Sequence, residues 1–385
     1  MLRQIFIVSA LNFRSLKGRF WQSMVIVVGL GATIGVLLSM MSMTVGLRAA
    51  YDRVGDPGRA IVVSKGADSE GGSSVSRDNA PIISDAPGVA KDVDGKPLAD
   101  RQLNIGVPVL RTNGSRGYTT MRGFGPKGVA VRPEFHMVKG RMFQAGKREL
   151  MVGAGAQSMF RNMQIGDNVI LPDGNWPIVG VFTTGDILDG QLVGDTETML
   201  TAFHRTAYNS ILVRLASRDS LDTFKKALTT NPALSVTVER HSDWYKKISG
   251  QSTRILAILA YVVGFVMAIG ALFGCLNTMY AAVSTRAREI ATLRALGYGA
   301  FPVAVSVILE AVVLSVAGAL SGAAIAWLLN DGRQATWGVN IFHLSVPPAM
   351  VGLGVGWAIV VALLGGILPS IRAARRPVVE ALRAT

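Results

Sequence analysis

Four stretches of this chain are too long and too apolar for the core of an ordinary globular domain, and they constrain everything else. A bilayer's apolar core takes roughly 20 helical residues to cross. Phe20 to Leu47 carries no charge, and neither does Ile255 to Thr285. Pro302 to Leu329 is interrupted only by Glu310, and Ala349 to Ile371 is again uncharged. The first run reads as a retained span rather than a signal peptide. Its apolar length exceeds a signal's h-region, and no small-residue cleavage site follows it. Composition agrees: half of the 385 residues are hydrophobic and 17% are charged, against about a quarter charged in a soluble domain. A disordered tail, a collagen-like repeat and a small disulfide scaffold are thereby excluded, and a wholly soluble enzyme fits poorly. The single cysteine, Cys275, has no intrachain partner and is silent on redox compartment.

A formal net charge of +14 would suggest nucleic acid if the charges formed one patch, but they flank the spans instead. Arg3, Arg14, Lys17 and Arg19 precede the first. Arg286, Arg288 and Arg294 lie between the second and third, and Arg372, Arg375, Arg376 and Arg383 follow the fourth. The loop between spans three and four holds only Arg333, offset by Asp331. By the positive-inside rule both termini and the 284–301 connector are cytoplasmic, and the long segment between spans one and two is outside. No nucleic-acid partner is expected. The expected division is an interfacial helix at 1–20, spans at 21–46, 255–283, 302–329 and 349–371, an extracytoplasmic domain at 47–254, a coupling loop at 284–301, a short outer loop at 330–348 and a tail at 372–385. Before span one, Leu2, Ile5, Phe6, Phe13, Leu16 and Phe20 share a helical stripe with the basic residues largely off it. That suits a helix lying in the membrane interface, though a topogenic tail without fixed structure would carry the same charges.

The outer segment is long enough for one or two compact domains. Residues 66–104, rich in Gly, Ser, Asp and Pro, read as a mobile loop. Asp167–Leu171 and Trp176–Phe182 read as strands joined by a Pro172-Asp173-Gly174-Asn175 turn. Strands at Tyr208–Leu215 and Leu234–Glu239 flank a helix at Ser220–Leu228, so the fold class is an α-helical membrane protein of four transmembrane helices with a mixed α/β extracytoplasmic domain inserted between helices 1 and 2. Catalytic chemistry is not indicated. Gly95-Lys96 and Gly146-Lys147 lack the upstream glycine and following hydroxyl of a phosphate-binding loop. His136, His204, His241 and His343 show no metal-ligand spacing and read as surface or structural residues.

Small residues mark the spans. Gly31–Gly35, Gly270–Gly274, Gly318–Gly322 and Gly352–Gly356 are each a G-x-x-x-G pair, which lets helix backbones approach closely in lipid; glycine is also simply common in membrane helices. Glu310, about two turns inside span three, costs on the order of 3 kcal/mol on insertion scales and should face protein or water. It is either an ion or proton site or a structural partner of Arg286 or Arg294. The connector from Ser284 to Gly297 reads as a short helix with Ala287, Ile290 and Leu293 on one face, Arg286 and Glu289 spaced for mutual support, Gly297 as its C-cap and Pro302 in the first turn of span three. Such a helix either lies on lipid or docks into a groove on a cytoplasmic partner.

These segments together resemble the MacB/FtsX-like family of ABC transporter permeases, the macrolide-exporter and lipoprotein-release type. Asn277 to Gly297 looks like the end of that family's second span and its coupling helix. Glu310 with Gly318 and Gly322 resembles its third span, and Pro369, Ala373 and Pro377 to Arg383 its C-terminal signature. Lys139 to Phe143, Gly166 to Ile170 and Val179 to Phe182 look like its extracytoplasmic core. The resemblance implies a multi-pass protein of the bacterial inner membrane that forms a dimer of permeases, expected to be a homodimer, working by mechanotransmission. Its ATPase would be a separate ABC subunit carrying ATP and Mg, with no cofactor on this chain and no enzyme activity of its own. Arg286, Arg288, Glu289, Ile290, Leu293 and Arg294 would form the ATPase-contacting surface, and residues 42–54 and 243–256 are candidates for stalk helices. Expected function is export of an outer-leaflet or periplasmic substrate, with a periplasmic membrane-fusion adaptor and membrane lipid as further partners. Control of a cell-wall hydrolase or sensor, and lipoprotein release, are the alternatives that share the architecture.

Overall fold

A computed structural model describes residues 4–9, 20–171 and 173–375. Most of the interfacial-helix expectation, the C-terminal signature 377–383 and Pro172 therefore lie outside the described residues; residues 4–9 are helical. The chain runs through α1 (Phe20–Val54), β1 (Arg59–Ser64), β2 (Val75–Ser76), α2 (Asn79–Ser84), β3 (Ala99–Leu110), β4 (Arg116–Phe124), β5 (His136–Gly140), β6 (Leu150–Gly153), α3 (Ala154–Met159), β7 (Asn168–Leu171) and β8 (Gly174–Thr183). It continues through β9 (Leu192–Asp195), α4 (Thr196–Ala202), β10 (Ala207–Tyr208), β11 (Ser210–Arg214), α5 (Ser220–Thr229), β12 (Val236–Arg240), α6 (His241–Thr285), α7 (Ala287–Ala295), α8 (Ala300–Asn330), β13 (Gln334–Trp337), β14 (Asn340–His343) and α9 (Pro348–Arg375). Two compact units result. One comprises residues 1–45, 254–333 and 344–385, the other residues 46–253 with 334–343.

The first unit is helical. Among the described residues, four helices are long and apolar enough to cross a membrane: α1, α6, α8 and α9. At 45 residues, α6 is about 68 Å long, more than twice an apolar core of about 30 Å. Residues 42–54 and 243–256 are accordingly helical, in register with spans one and two. Core side chains are small or branched: Ile26, Leu30, Ala268, Met279, Val303, Val307, Ala311 and Ala362 form one buried cluster, and Ile34, Leu38, Ala319, Ala323 and Ala358 another. The opposite faces present large apolar side chains, among them Phe265, Val266 and Phe273 of α6 and Trp327 and Leu328 of α8. A helix apolar on every side is what a lipid-facing position requires.

The second unit is built on a ten-stranded sheet in the order β12-β1-β11-β3-β4-β9-β6-β8-β5, with β7 paired to β8. β4 with β9 and β6 with β8 are parallel; the other pairings along this path are antiparallel. The sheet's most buried strands, such as β1 (RAIVVS) and β6 (LMVG), are covered on both faces, as their continuous apolar runs require. The β7–β8 hairpin and the β11–α5–β12 succession arise where alternation and turn residues place them.

Two segments differ from the sequence expectation. Residues 66–104 contain β2, α2 and the start of β3 rather than an unstructured loop. Glu70, in their midst, is only 8% exposed and hydrogen-bonded by Asn104, Arg122 and Tyr245, which fixes a stretch whose composition favours mobility. Most of the 330–348 connection is the β13–β14 hairpin, and it belongs to the sheet-bearing unit. Ile341 enters that unit's hydrophobic core, Ser158 Oγ donates to Gln334 Oε1 at 2.7 Å, and Arg111 Nη2 donates to Thr336 Oγ1 at 2.9 Å.

Candidate functional site

The connector between spans two and three carries the chemistry expected of a working surface. α6 ends at Thr285 and α7 begins at Ala287, leaving Arg286 in the break between them. There its guanidinium turns inward and grips Glu310 of α8 with two bonds, Nη1 to Oε2 at 2.7 Å and Nη2 to Oε1 at 3.2 Å. Both side chains are 6% exposed. A bidentate pair neutralises a buried carboxylate and a buried cation at once, which neither could endure alone. The void beside the pair measures about 10 Å³, scarcely the space of one water. Of the two readings of Glu310, the geometry favours the structural partner, and it selects Arg286 over Arg294.

α7 closes in a Schellman turn: Gly297 has φ of +94°, its N–H donates to the Arg294 carbonyl at 3.1 Å, and the Tyr298 N–H donates to that of Leu293 at 3.1 Å. A left-handed residue is needed at that point, and glycine adopts it without strain. Gly299 then caps α8. The six residues expected on a partner-facing surface divide. Arg288 and Glu289 are exposed, and Leu293 and Arg294 are half-buried. Arg286 and Ile290 are buried, the latter 9% exposed within the cluster of Met279, Val283, Val303 and Val307. For those two the expectation is corrected: they fasten α7 to the bundle, because an apolar face and a carboxylate partner draw them inward.

The glycine pairs divide in the same way. A Cβ on Gly31 would meet the Gly318 carbonyl oxygen at 3.0 Å, one on Gly35 the Gly322 oxygen at 3.3 Å, and one on Gly322 the Gly31 oxygen at 2.1 Å. α1 and α8 therefore cross backbone to backbone, with Asn330 Nδ2 donating to Ser39 Oγ at 2.9 Å further along. Gly270, Gly274, Gly352 and Gly356 face open space, with nothing within 4 Å of an added Cβ. Among the described residues they pack against no neighbour. Gly264, Gly354 and Gly365 do, against Leu37, Ile34 and Cys275.

Sequence reasoning missed a third feature, a buried ionic network inside the sheet-bearing unit that takes in the last residue of α1 and the first turns of α6. Arg122 Nη1 donates to Glu70 Oε2 at 2.8 Å and to Gln102 Oε1 at 2.7 Å, and Arg122 Nε donates to Gln191 Oε1 at 2.9 Å. Arg132 Nη1 donates to Asp100 Oδ2 at 2.7 Å, and the same oxygen accepts from Gln102 at 2.8 Å. Tyr245 of α6 donates to Glu70 Oε1 at 2.7 Å, while Arg59 donates to the Val54 carbonyl at the end of α1 at 3.1 Å. His241, buried at the start of α6, accepts from the Asp56 N–H and packs edge-on against Tyr245. Burial pushes the Glu70 carboxyl up, but the Arg122 charge and the bonds from Tyr245, Arg122 and Asn104 outweigh it and hold the group below its ordinary value. The available signal was polar and charged residues inside strands: Asp100 and Gln102 in β3 and Arg122 in β4.

Residues 23–231 match the model of the MacB-like periplasmic core domain, and residues 261–378 that of the FtsX-like permease C-terminal region. The chain belongs to the MacB/FtsX-like family of ABC transporter permeases, with the inserted domain between helices 1 and 2 that this family carries. It is 25% identical over 296 residues, 70% of its length, to the macrolide export ATP-binding/permease protein MacB of Chlorobium luteolum (strain DSM 273 / BCRC 81028 / 2530). It is 27% identical over 188 residues, 47% of its length, to the MacB of Nitrobacter winogradskyi (strain ATCC 25391 / DSM 10237 / CIP 104748 / NCIMB 11846 / Nb-255). The chain spans 43% and 28% of the length of these curated relatives. Among solved structures, the periplasmic region of MacB from Actinobacillus actinomycetemcomitans aligns at 14% identity and a TM-score of 0.39, covering 51% of this chain and 94% of that one. The extracellular domain of the noncanonic ABC-type transporter YknZ from Gram-positive bacteria aligns at 15% identity and 0.37, covering 47% and 99%.

Proposed function

We propose that this chain is the permease of an ATP-driven exporter that moves its inserted domain by force transmitted through its helices. An ABC ATPase subunit, carrying ATP and Mg, would press on the exposed face of α7, with Arg288 and Glu289 at the contact. The basic flanks of the spans support a cytoplasmic position for α7 and both termini, in the bacterial inner membrane, with the inserted domain outside. A second copy of the permease and a periplasmic membrane-fusion adaptor complete the assembly. The observation that carries the reading is the clasp of Arg286 on Glu310: a short helix whose inner face is locked to a span while its outer charges stay exposed is fitted to pass a push inward. A surface helix merely lying on lipid has no need of a buried ion pair.

The test is recovery of partners with the tagged chain from native membranes in mild detergent. Arg288→Glu with Glu289→Arg should lower ATPase recovery by about threefold or more, as exposed charge contacts allow, with insertion unchanged. Equal recovery would remove α7 from the contact. An ATPase together with an adaptor supports export; an ATPase with a cell-wall hydrolase or sensor kinase would replace it with the regulatory reading, and an ATPase with a different permease and a lipoprotein carrier with lipoprotein release.

A further inference from the structure

We infer that a concavity on the inserted domain, where the turn joining β3 to β4 faces β7, binds a single anionic amphiphile by its tail and its head group. The outward positions of a half-covered strand are ordinarily polar. Here Leu110, Tyr118 and Ile170 occupy them, 52%, 59% and 79% exposed, around a hollow of about 440 Å³. That volume is in the range of small-molecule sites, about 300–1,000 Å³. Its floor includes buried Val169. Arg116 and Arg161 stand at the same hollow, both exposed. Arg161 Nε donates to the Thr112 carbonyl at 3.0 Å, which folds this side chain over the turn. Neither arginine has an ion-pair partner among the described residues, and no acid lines the hollow.

Apolar walls beside two guanidinium groups select the ligand's chemistry. An inorganic anion would leave the walls uncovered, and a neutral lipid would leave the cations without a counter-charge. A carboxylate or phosphate on one acyl chain meets both, since guanidinium binds either head group with paired bonds. A stable protein contact takes about 800 Å² from each partner, far more than three side chains around one hollow offer. The site requires neither ATP nor a partner subunit, so its test is separate from that of the exporter reading.

The experiment uses the full chain in phosphatidylcholine nanodiscs, a long-chain fatty acid bearing a diazirine, and its alcohol analogue, with labelled peptides mapped by mass spectrometry. The acid should label the peptides that contain Tyr118 and Ile170, lysophosphatidylglycerol should compete, and inorganic phosphate should not. Arg116→Gln with Arg161→Gln should cut that labelling about tenfold. Ile170→Glu, at a position exposed enough to leave the fold intact, should abolish it. Equal labelling by the alcohol, competition by phosphate alone, or full labelling of the double variant would each overturn the assignment. So would protection by a periplasmic protein fraction without any by the lysolipid, which would make the hollow a protein contact.

Discussion

Glu310 is the one carboxylate within span three, and its value depends on Arg286. Removing one member of a buried pair strands the other, at a cost of about 3–5 kcal/mol, whereas replacing both by apolar residues is often close to neutral. Glu310→Gln should therefore destabilise the helical unit by roughly that amount, and Arg286→Met with Glu310→Leu should recover most of it. Unfolding of the parent chain, Arg286→Met, Glu310→Leu and the double variant in mixed micelles closes the cycle. A stable Glu310→Gln that has nonetheless lost function would return the residue to an ion or proton role. The residues alone left Arg286 and Arg294 as equal partners. Choosing between them needed the helix break at 286, which depends on how α6 and α8 pack and is not written in spacing.

At the scale of elements, the crossing of α1 and α8 and the open glycines of α6 and α9 make opposite forecasts from one residue type. Gly322→Ala drives a Cβ to 2.1 Å from the Gly31 carbonyl oxygen, a backbone atom that cannot step aside, and should cost about 1–3 kcal/mol as overpacking does. Gly270→Ala meets nothing within 4 Å and should be neutral or add up to about 1 kcal/mol of helix propensity. Parallel unfolding of the two variants checks this; equal effects would mean that the α1–α8 crossing has room for a methyl group. The four G-x-x-x-G pairs looked alike in sequence because the motif records small size but not which face meets a neighbour. Likewise the turn-rich 330–348 connection hid a hairpin, since Ile341 becomes a core residue only beside Gly190, far away in the chain.

At the scale of the molecule, the helical unit takes its stability from apolar packing and the buried Arg286–Glu310 pair, whereas the inserted domain leans on ionised carboxylates. Bidentate bonds from Arg141 hold Glu149 down at about 2, with the Gln144 N–H assisting, and Glu70 also lies below its ordinary value. A depressed carboxylate contributes stability that is present above the unfolded value, 4.5, and is lost as pH falls through the folded one. Amide protection of β6 and β8 in the full chain, corrected for intrinsic exchange, should fall as pH drops from about 4.5 towards 2, and Glu149→Gln should flatten that part of the profile. An identical profile in the variant would mean that the Arg141 pair adds nothing to the fold.

The sequence by itself determined the four spans, the insertion between the first two, the order of strands and helices around the 167–182 hairpin and 208–239, and the Gly297 stop of the connector. Each rests on local physics: apolar length against bilayer thickness, alternation against a half-covered sheet, a left-handed residue at a helix end. Tertiary structure alone decided which glycines touch, that Arg286 and Ile290 face inward, that Glu70 pins a stretch composed like a loop, and that Arg59, Arg122 and Arg132 are buried near one another. Those outcomes depend on partners tens to hundreds of residues away, and burial of a charge is tolerable only once such a partner is in place.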